Sequence, residues 1–386
     1  MHQYPHTYPP PGRMIHVFVG TKAQLIKMAP LMHELERRNV PYRFINAGQH
    51  AATIATLLAQ FDLRPPDVTL FSSAGNISSL REGFAWLFRL LWQALIHPAQ
   101  TRQMVFGGYG GLCFIHGDTA TTLISLIMAR RAGLSVAHVE SGLRSFNIFS
   151  PFPEELIRLI AMRFSDLLFA PNEWAYQNLQ KMKIRGKAVL AGGNTIIDAL
   201  AYAQKKASQE GLSFALPGHR YAVMSIHRFE TIRVRRRLNR VVQLACSVAE
   251  RLPLKFILHK PTAHYLQKFG LLRALRDTPR IELLDLQPYL LFVQMLKSAE
   301  FVITDGGSIQ EETAVLGTPC LILRTRTERR DGLGRNALLA GTNEEVIESF
   351  LENFAAYRFP PLYTRREGAA TPSASIVTEA LRWLDR

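Results

Sequence analysis

"MIHVFVGTKAQLIKMAPLMHELERR", residues 14–38, decides the fold. A β-branched and aromatic run stops at Gly20. Apolar residues then recur at Leu25, Ile26, Ala29, Met32 and Leu35, close to the spacing of one helix face. A strand, a glycine turn and a helix open a nucleotide-binding α/β unit, whose helix N-terminus can face an anion. The pattern repeats in "YRFINAG" before a helical stretch from His50, in "GLCFIHGDT" before "ATTLISLIMARRAG", in "SVAHVESG", and in "DLLFAPN" before "EWAYQNLQKM". A second series, from Asn194, supplies five more strands: "YAVMSIHR", "LKFILHK", "IELLDLQ", "FVITDGG" and "TPCLILR". Short apolar strands alternating with helices read as parallel sheets covered on both faces.

Two such series in one chain predict an α/β protein of two Rossmann-like domains facing a cleft, with ligand groups at the carboxyl ends of the strands. A length of 386 residues fits two cores better than one. The expected division is a disordered lead-in over 1–13, a first domain over 14–193 completed by a C-terminal helix over 373–386, and a second domain over 194–372. The join falls at "LAGGNTIIDAL", where Gly192 and Gly193 break the pattern.

Composition narrows the classes. With 47% hydrophobic and 20% charged residues, the chain is neither disordered nor fibrous. Cys113, Cys246 and Cys320 form no CxxC and have no histidine at metal spacing, which argues against a disulfide framework or a zinc site and is compatible with a reducing compartment. "FAWLFRLLWQALI", residues 84–96, is too short to span a bilayer and carries Arg89, so it reads as a helix between layers or one resting on a membrane. The net charge of +15 calls for an anionic partner. No aromatic-basic interleaving marks a nucleic-acid reader, and "RVRRRLNR", residues 233–240, reads as one solvated helix face.

Almost every strand end delivers a polar group: Thr21 and Lys22; Gln49 and His50; His116, Gly117, Asp118 and Thr119; Glu140 and Ser141; His227 and Arg228; His259; and Asp305 to Ser308. Asp118 and Ser308 are also well placed to cap helices. In "ITDGGSIQEE", Gly306 and Gly307 let the backbone approach a ligand, and the helix opened by Ser308 suits a diphosphate. Glu311 and Glu312, one turn on, can accept ribose hydroxyls.

Taken together, "HGDT", "HVESGLR", "SPFPEE", "GNTIIDAL" and "TDGGSIQEE", with "KMAPL", "LHKP", "QPY" and "TER", resemble the UDP-N-acetylglucosamine 2-epimerase family over roughly residues 14–386. The resemblance implies a glycosyltransferase-B-like fold and a homodimer using neither metal nor cofactor. The expected location is cytoplasmic, with any membrane contact peripheral and through the apolar run 84–96. The resemblance further implies anti elimination of UDP from a UDP-2-acetamido sugar to an acetamidoglucal, and re-addition of UDP with a proton delivered to the opposite face. Carried over residue by residue, the catalytic groups are Asp118, Glu140, Glu154 and His227. The substrate contacts are Lys22, Gln49, His116, Arg144, Arg228, His259, Gly306, Gly307, Ser308, Glu312 and Arg329. Glu155 is expected to be the solvent-facing neighbour of Glu154.

Departures from the family pattern cluster on substrate recognition. G-T-R-P-E becomes Gly20-Thr21-Lys22-Ala23-Gln24, losing a bidentate fork, and H-R-R-E becomes His227-Arg228-Phe229-Glu230. Gln49 and His259 match positions that hold an activating second nucleotide sugar, but Ala52 lacks the expected polar group. A modified UDP-sugar is therefore a plausible substrate. The competing readings are a hydrolysing 2-epimerase, a glycosyltransferase with a membrane-bound acceptor, and a non-catalytic UDP-sugar sensor.

Overall fold

The structure is a computed structural model that describes residues 12–48, 51–70, 92, 94–148, 152–214, 220–362 and 370–385. By its contacts the chain divides into unit 1, Met1–Ala199 with Ala369–Arg386, and unit 2, Leu200–Gly368. The division falls inside the helix Ile196–Gln209, a few residues past the glycine pair.

Unit 1 holds seven parallel strands: β1 (Arg13–Val19), β2 (Tyr42–Asn46), β3 (Val68–Thr69), β4 (Gly110–His116), β5 (Ser135–Val139), β6 (Leu167–Ala170) and β7 (Lys187–Leu190). Their order is β3-β2-β1-β4-β5-β6-β7, so the winding reverses between β1 and β4. That reversal is where doubly wound sheets open a ligand crevice at the strands' carboxyl ends. Arg13, expected in the lead-in, already belongs to β1 and donates to the Leu384 carbonyl at 2.9 Å. The helix Pro372–Leu384 packs on the helix Lys22–Arg37, and Lys187 pairs with Glu379 at 2.7 Å.

Unit 2 repeats the scheme with β8 (Ala222–Ser225), β9 (Leu254–Ile257), β10 (Ile281–Leu284), β11 (Val302–Thr304), β12 (Cys320–Ile322) and β13 (Ala337–Leu339), all parallel. The order is β10-β9-β8-β11-β12-β13, with its reversal between β8 and β11. Two strands of unit 1 and one of unit 2 exceed the number the sequence pattern announces. The additions, β3, β7 and β13, all lie at sheet edges, where a strand is short or half exposed and lacks the buried apolar run. The helix expected from His50 is described over Ala51–Gln60; Gln49 and His50 lie outside the described residues, as do most of 84–96 and residues 1–11.

Each sheet is sandwiched by helices because its strands are apolar on both faces. Ile15, Val17 and Val19 of β1, Phe114 of β4, and Met224 and Phe256 of β8 and β9 are fully buried. Two histidines break the apolar run. His16 in β1 meets the edge of Phe106 and contacts the Gly110 carbonyl at 3.2 Å, while His138 in β5 donates from Nε2 to the Gly117 carbonyl at 2.8 Å. Burial is the dominant influence on both and pushes each imidazole down to about 4. They are neutral in the fold.

Below about pH 6.5 the unfolded chain binds two protons that the folded chain refuses, so stability falls as pH falls from about 6.5 to about 4. The expected loss is on the order of 3 kcal/mol per histidine, because each tenfold drop in proton affinity on folding is worth about 1.4 kcal/mol. Urea unfolding between pH 7.5 and 4 checks it. Replacing His138 with Gln should flatten the dependence, and an unchanged slope would contradict the assignment.

Candidate functional site

At the carboxyl end of β1, Thr21 caps the helix Lys22–Arg37 in a reciprocal box with Gln24. Gln24 Oε1 accepts from the N–H groups of Gly20 (2.9 Å) and Thr21 (3.2 Å). Its Nε2 donates to the His116 carbonyl (2.8 Å) and to Thr119 Oγ1 (3.0 Å), tying the end of β1 to the end of β4. A glutamate in the same place could not donate these last two bonds. The Gln24 departure is therefore built into the frame of the site. Lys22 is half-buried at the first turn of that helix.

One turn further on, Lys27 reaches into the fold. The residue is 2% exposed, and its ammonium is ion-paired with Glu140 Oε2. Glu140 follows β5 with φ at +67°, a left-handed conformation that side chains other than Gly, Asn and Asp rarely adopt. The carboxylate also accepts from Asn194 Nδ2 at 2.7 Å and lies 3.6 Å from His116 Nε2. Gly142 then takes φ +89°, and a Cβ there would sit 2.2 Å from the Ala175 carbonyl oxygen, so only glycine fits the turn.

Asp118, at the end of β4, is gripped by the Arg158 guanidinium. It does not cap the following helix; Thr119 does, in a capping box with Thr122. Arg158 Nη1 in turn donates to Glu155 Oε2 at 2.5 Å. Glu155 is wholly buried rather than solvent-facing: it also accepts from Arg144 Nε (2.6 Å) and the Ser145 N–H (3.0 Å). Burial raises its pKa, but the bonds from Arg144 and Ser145 and the charge of Arg158 outweigh that and hold it below the ordinary carboxylate range. Arg144 thus belongs to an internal ion network, with the Phe146 ring 4.8 Å beneath it. Glu154 is the partly exposed member of the pair, and its Oε2 is buried without a hydrogen-bond partner among the described residues. Unit 1 therefore carries Asp118, Glu140 and Glu154 on three neighbouring segments, two of them held by buried cations.

In unit 2, His227 and Arg228 follow β8, and their N–H groups donate to the two Asp305 oxygens at 3.0 and 3.1 Å. The His227 ring stacks on His259 at 4.6 Å, and Ser225 Oγ lies 3.0 Å from His259 Nε2. Burial, the largest influence, and Arg228 lower the His227 pKa while Asp305 raises it; the net is downward.

After β11, Gly306 is the N-cap of the helix Gly307–Leu316, so Ser308 sits inside the first turn instead of capping it. Both glycines leave room for neighbouring side chains. A Cβ at Gly306 would meet the His227 ring at 2.5 Å, and one at Gly307 would meet Arg329 Nε at 2.8 Å. Arg329 is ion-paired with the buried Glu311, and Glu312 faces the Tyr289 hydroxyl, which burial and that carboxylate keep protonated. Among the described residues no group of His, Cys, Asp and Glu is placed to hold a metal ion.

Lys27, Asn194 and Arg158 are the residues that sequence reasoning passes over. "KMAPL" and "GNTIIDAL" contain two of them, and Arg158 lies on the Glu155, Arg158, Met162 face of the helix Glu154–Phe164, a spacing that marks Glu155 as inward-facing.

A family model described as UDP-N-acetylglucosamine 2-epimerase matches residues 33–365. A UDP-N-acetylglucosamine 2-epimerase of Methanocaldococcus jannaschii is 28% identical over 344 residues, covering 87% of this chain and 90% of that one. The crystal structure of the Methanocaldococcus jannaschii enzyme in complex with UDP-GlcNAc and UDP superposes with a TM-score of 0.78 at 27% identity, over 96% of this chain and 99% of the other. The Neisseria meningitidis enzyme bound to UDP-GlcNAc gives 0.79 at 26% identity, over 96% and 100%.

Replacing Glu155 with Gln leaves Arg144 and Arg158 without their shared counter-charge. The expected destabilisation is about 3–5 kcal/mol, the usual cost of breaking a buried pair from one side. Urea unfolding at pH 7.5 measures it, and a change under about 1 kcal/mol would contradict the buried network.

Proposed function

The chain belongs to the UDP-N-acetylglucosamine 2-epimerase family, and from that premise we propose that Asp118, Glu140 and Glu154 are the proton-handling groups of a non-hydrolysing C2 epimerisation of UDP-N-acetylglucosamine or a related UDP-2-acetamido sugar. The observation that carries this reading is the arrangement in unit 1. Three carboxylates follow β4, β5 and the loop after β5; Lys27 with Asn194 fixes one, Arg158 fixes another, and Glu154 keeps an unpartnered oxygen.

The chemistry needs these groups. The hydrogen on carbon 2 is weakly acidic, so the C1–O bond to UDP must break early and leave oxocarbenium-like charge, which carboxylates stabilise. One carboxylate takes the C2 proton as the C1=C2 bond forms. A second acid returns a proton to the opposite face of C2 as UDP re-adds at C1. Inversion requires two groups because one cannot reach both faces.

The departing diphosphate needs cations and N–H groups. His227, Arg228, Gly306, Gly307, Ser308 and Arg329 of unit 2 suit it, with Glu312 for the ribose hydroxyls. Lys22, His116, Arg144 and His259 complete the binding set, as does Gln49, which lies outside the described residues. No metal or cofactor takes part in this scheme. A cytoplasmic homodimer, and peripheral membrane contact through 84–96, accompany the proposal on the family resemblance and on the apolar run respectively. Among the described residues no helix is long and apolar enough to cross a membrane.

The test is conversion of UDP-N-acetylglucosamine followed by proton and phosphorus NMR. Manno signals with the UDP-sugar intact are expected. Asp118→Asn, Glu140→Gln and Glu154→Gln should each lower kcat by roughly 10²–10⁴-fold, the range for a lost acid or base, with unfolding unchanged for Glu154→Gln. Free sugar with stoichiometric UDP would make the chain a hydrolysing enzyme. UDP binding with no conversion of this or any modified UDP-2-acetamido sugar would overturn the reading in favour of glycosyl transfer or sensing.

A further inference from the structure

One stretch of the chain gathers positive charge that the epimerase reading leaves unused. From Thr231 to Ala249 there is no acidic residue, and Arg233, Arg235, Arg236, Arg237 and Arg240 all fall in that interval. The helix Arg235–Arg251 begins with three consecutive arginines, has no acid in its first turn, and is capped by Val234 without a side-chain bond. Every one of these choices is unfavourable locally. The first turn of a helix is its positive end, where arginine is repelled and Asp or Glu is preferred, and an N-cap such as Ser or Asp would add stability. The helix is held instead by its apolar face of Leu238, Val241, Val242, Ala245 and Val248, which is buried in the core of unit 2.

The arginines point away from that core. Residues Arg233 to Arg237 are an unbroken exposed run. Arg237 donates to the Glu230 carbonyl at 2.9 Å and Arg233 lies 4.3 Å over the Phe229 ring, while Arg235, Arg236 and Arg240 meet no carboxylate among the described residues. Glu230, the nearest acid in sequence, is turned to Arg228 at 3.3 Å. Packed neighbours do not neutralise the patch. The helix Lys260–Lys268, against Phe229–Ile232, adds two lysines and no acid, and in the helix Leu272–Asp277 the single acid, Asp277, is paired with Arg273 at 3.0 Å. Beside the arginines, Phe229 and Val234 are 52% and 44% exposed.

We propose that this corner, Phe229 to Arg240, is a docking surface for an anionic phospholipid bilayer. Juxtaposed arginines supply attraction to acidic headgroups, and an exposed aromatic and a valine between them are the side chains that seat at the headgroup boundary. A nucleic acid is the poorer occupant. Single strands are held by successive aromatic rings, and Phe229 is the one aromatic among residues 229–240. The surface is independent of the carboxylates and stands or falls without them.

The test is sedimentation of the full chain with vesicles of phosphatidylcholine alone and of phosphatidylcholine with phosphatidylglycerol, at about 0.1 M salt, where charges beyond about 10 Å are screened. Binding to the anionic vesicles alone, released by salt, is expected. The triple variant Arg235→Gln, Arg236→Gln, Arg237→Gln should partition roughly 100-fold more weakly, with UDP binding unchanged and thermal unfolding no lower than the parent's, since first-turn arginines oppose the helix dipole; Phe229→Ser should weaken partition by a few-fold. Equal partition onto neutral vesicles, no partition at all, or a triple variant that binds like the parent would each overturn the proposal. Retention on a single-stranded oligonucleotide with none on anionic vesicles would do so too, assigning the arginines to nucleic acid.

Discussion

A buried ion pair between Lys27 and Glu140 is the contact on which the unit 1 site depends. Neither group can stand alone where it lies, because an unpaired charge in the interior costs several kcal/mol. Lys27 comes from the helix after β1 and Glu140 from the end of β5, so the pair ties the two sides of the sheet's reversal point together. Asn194 reaches the same carboxylate from the start of the helix Ile196–Gln209. The left-handed backbone at Glu140 is sustained by this grip and by the glycine turn that follows it. The strain aims a carboxylate instead of relaxing into a strand.

Around that pair the fold separates two kinds of buried polar group. His16 and His138 are neutral and serve as hydrogen-bonding members of the sheet, since burial removes their charge across the neutral range. Glu155, Arg144, Arg158 and Asp118 form a chain of charges in which each carboxylate meets a guanidinium. Glu154, next to the most buried acid of the network, keeps an oxygen that none of these cations uses. A preorganised set of fixed charges beside one uncommitted carboxylate is what an elimination with developing positive charge needs.

Much of this is legible in the sequence, for reasons that differ by residue. Central strands such as β1, β4 and β8 announce themselves because both faces are buried and the apolar run is continuous. β7 and β13 do not, since an edge strand such as "KAVL" carries exposed residues and too short a pattern. Asp118, Glu140 and Glu154 can be named because the family-like motifs "HGDT", "HVESGLR" and "SPFPEE" carry them. Their partners cannot be read so directly: Lys27 and Asn194 lie 113 and 54 residues from Glu140, and only the folded sheet brings them together. Asp118 and Ser308 look like caps in a linear string, but a threonine and a glycine beside them take that role. Glu155 is easily misjudged because two adjacent glutamates are equivalent in sequence until Arg158 and Met162 fix the phase of their helix.

The central claim is that held carboxylates move the C2 proton while the C1–O bond breaks. It is tested most directly with UDP-N-acetylglucosamine carrying oxygen-18 in the bridge between sugar and diphosphate, incubated with the enzyme in D2O. The account predicts deuterium at carbon 2 together with migration of the label into the non-bridging oxygens of the β-phosphate, since a freed UDP can rotate before it re-adds. Deuterium at carbon 2 with the label wholly retained in the bridge would contradict it, because the proton would then be exchanged without departure of UDP.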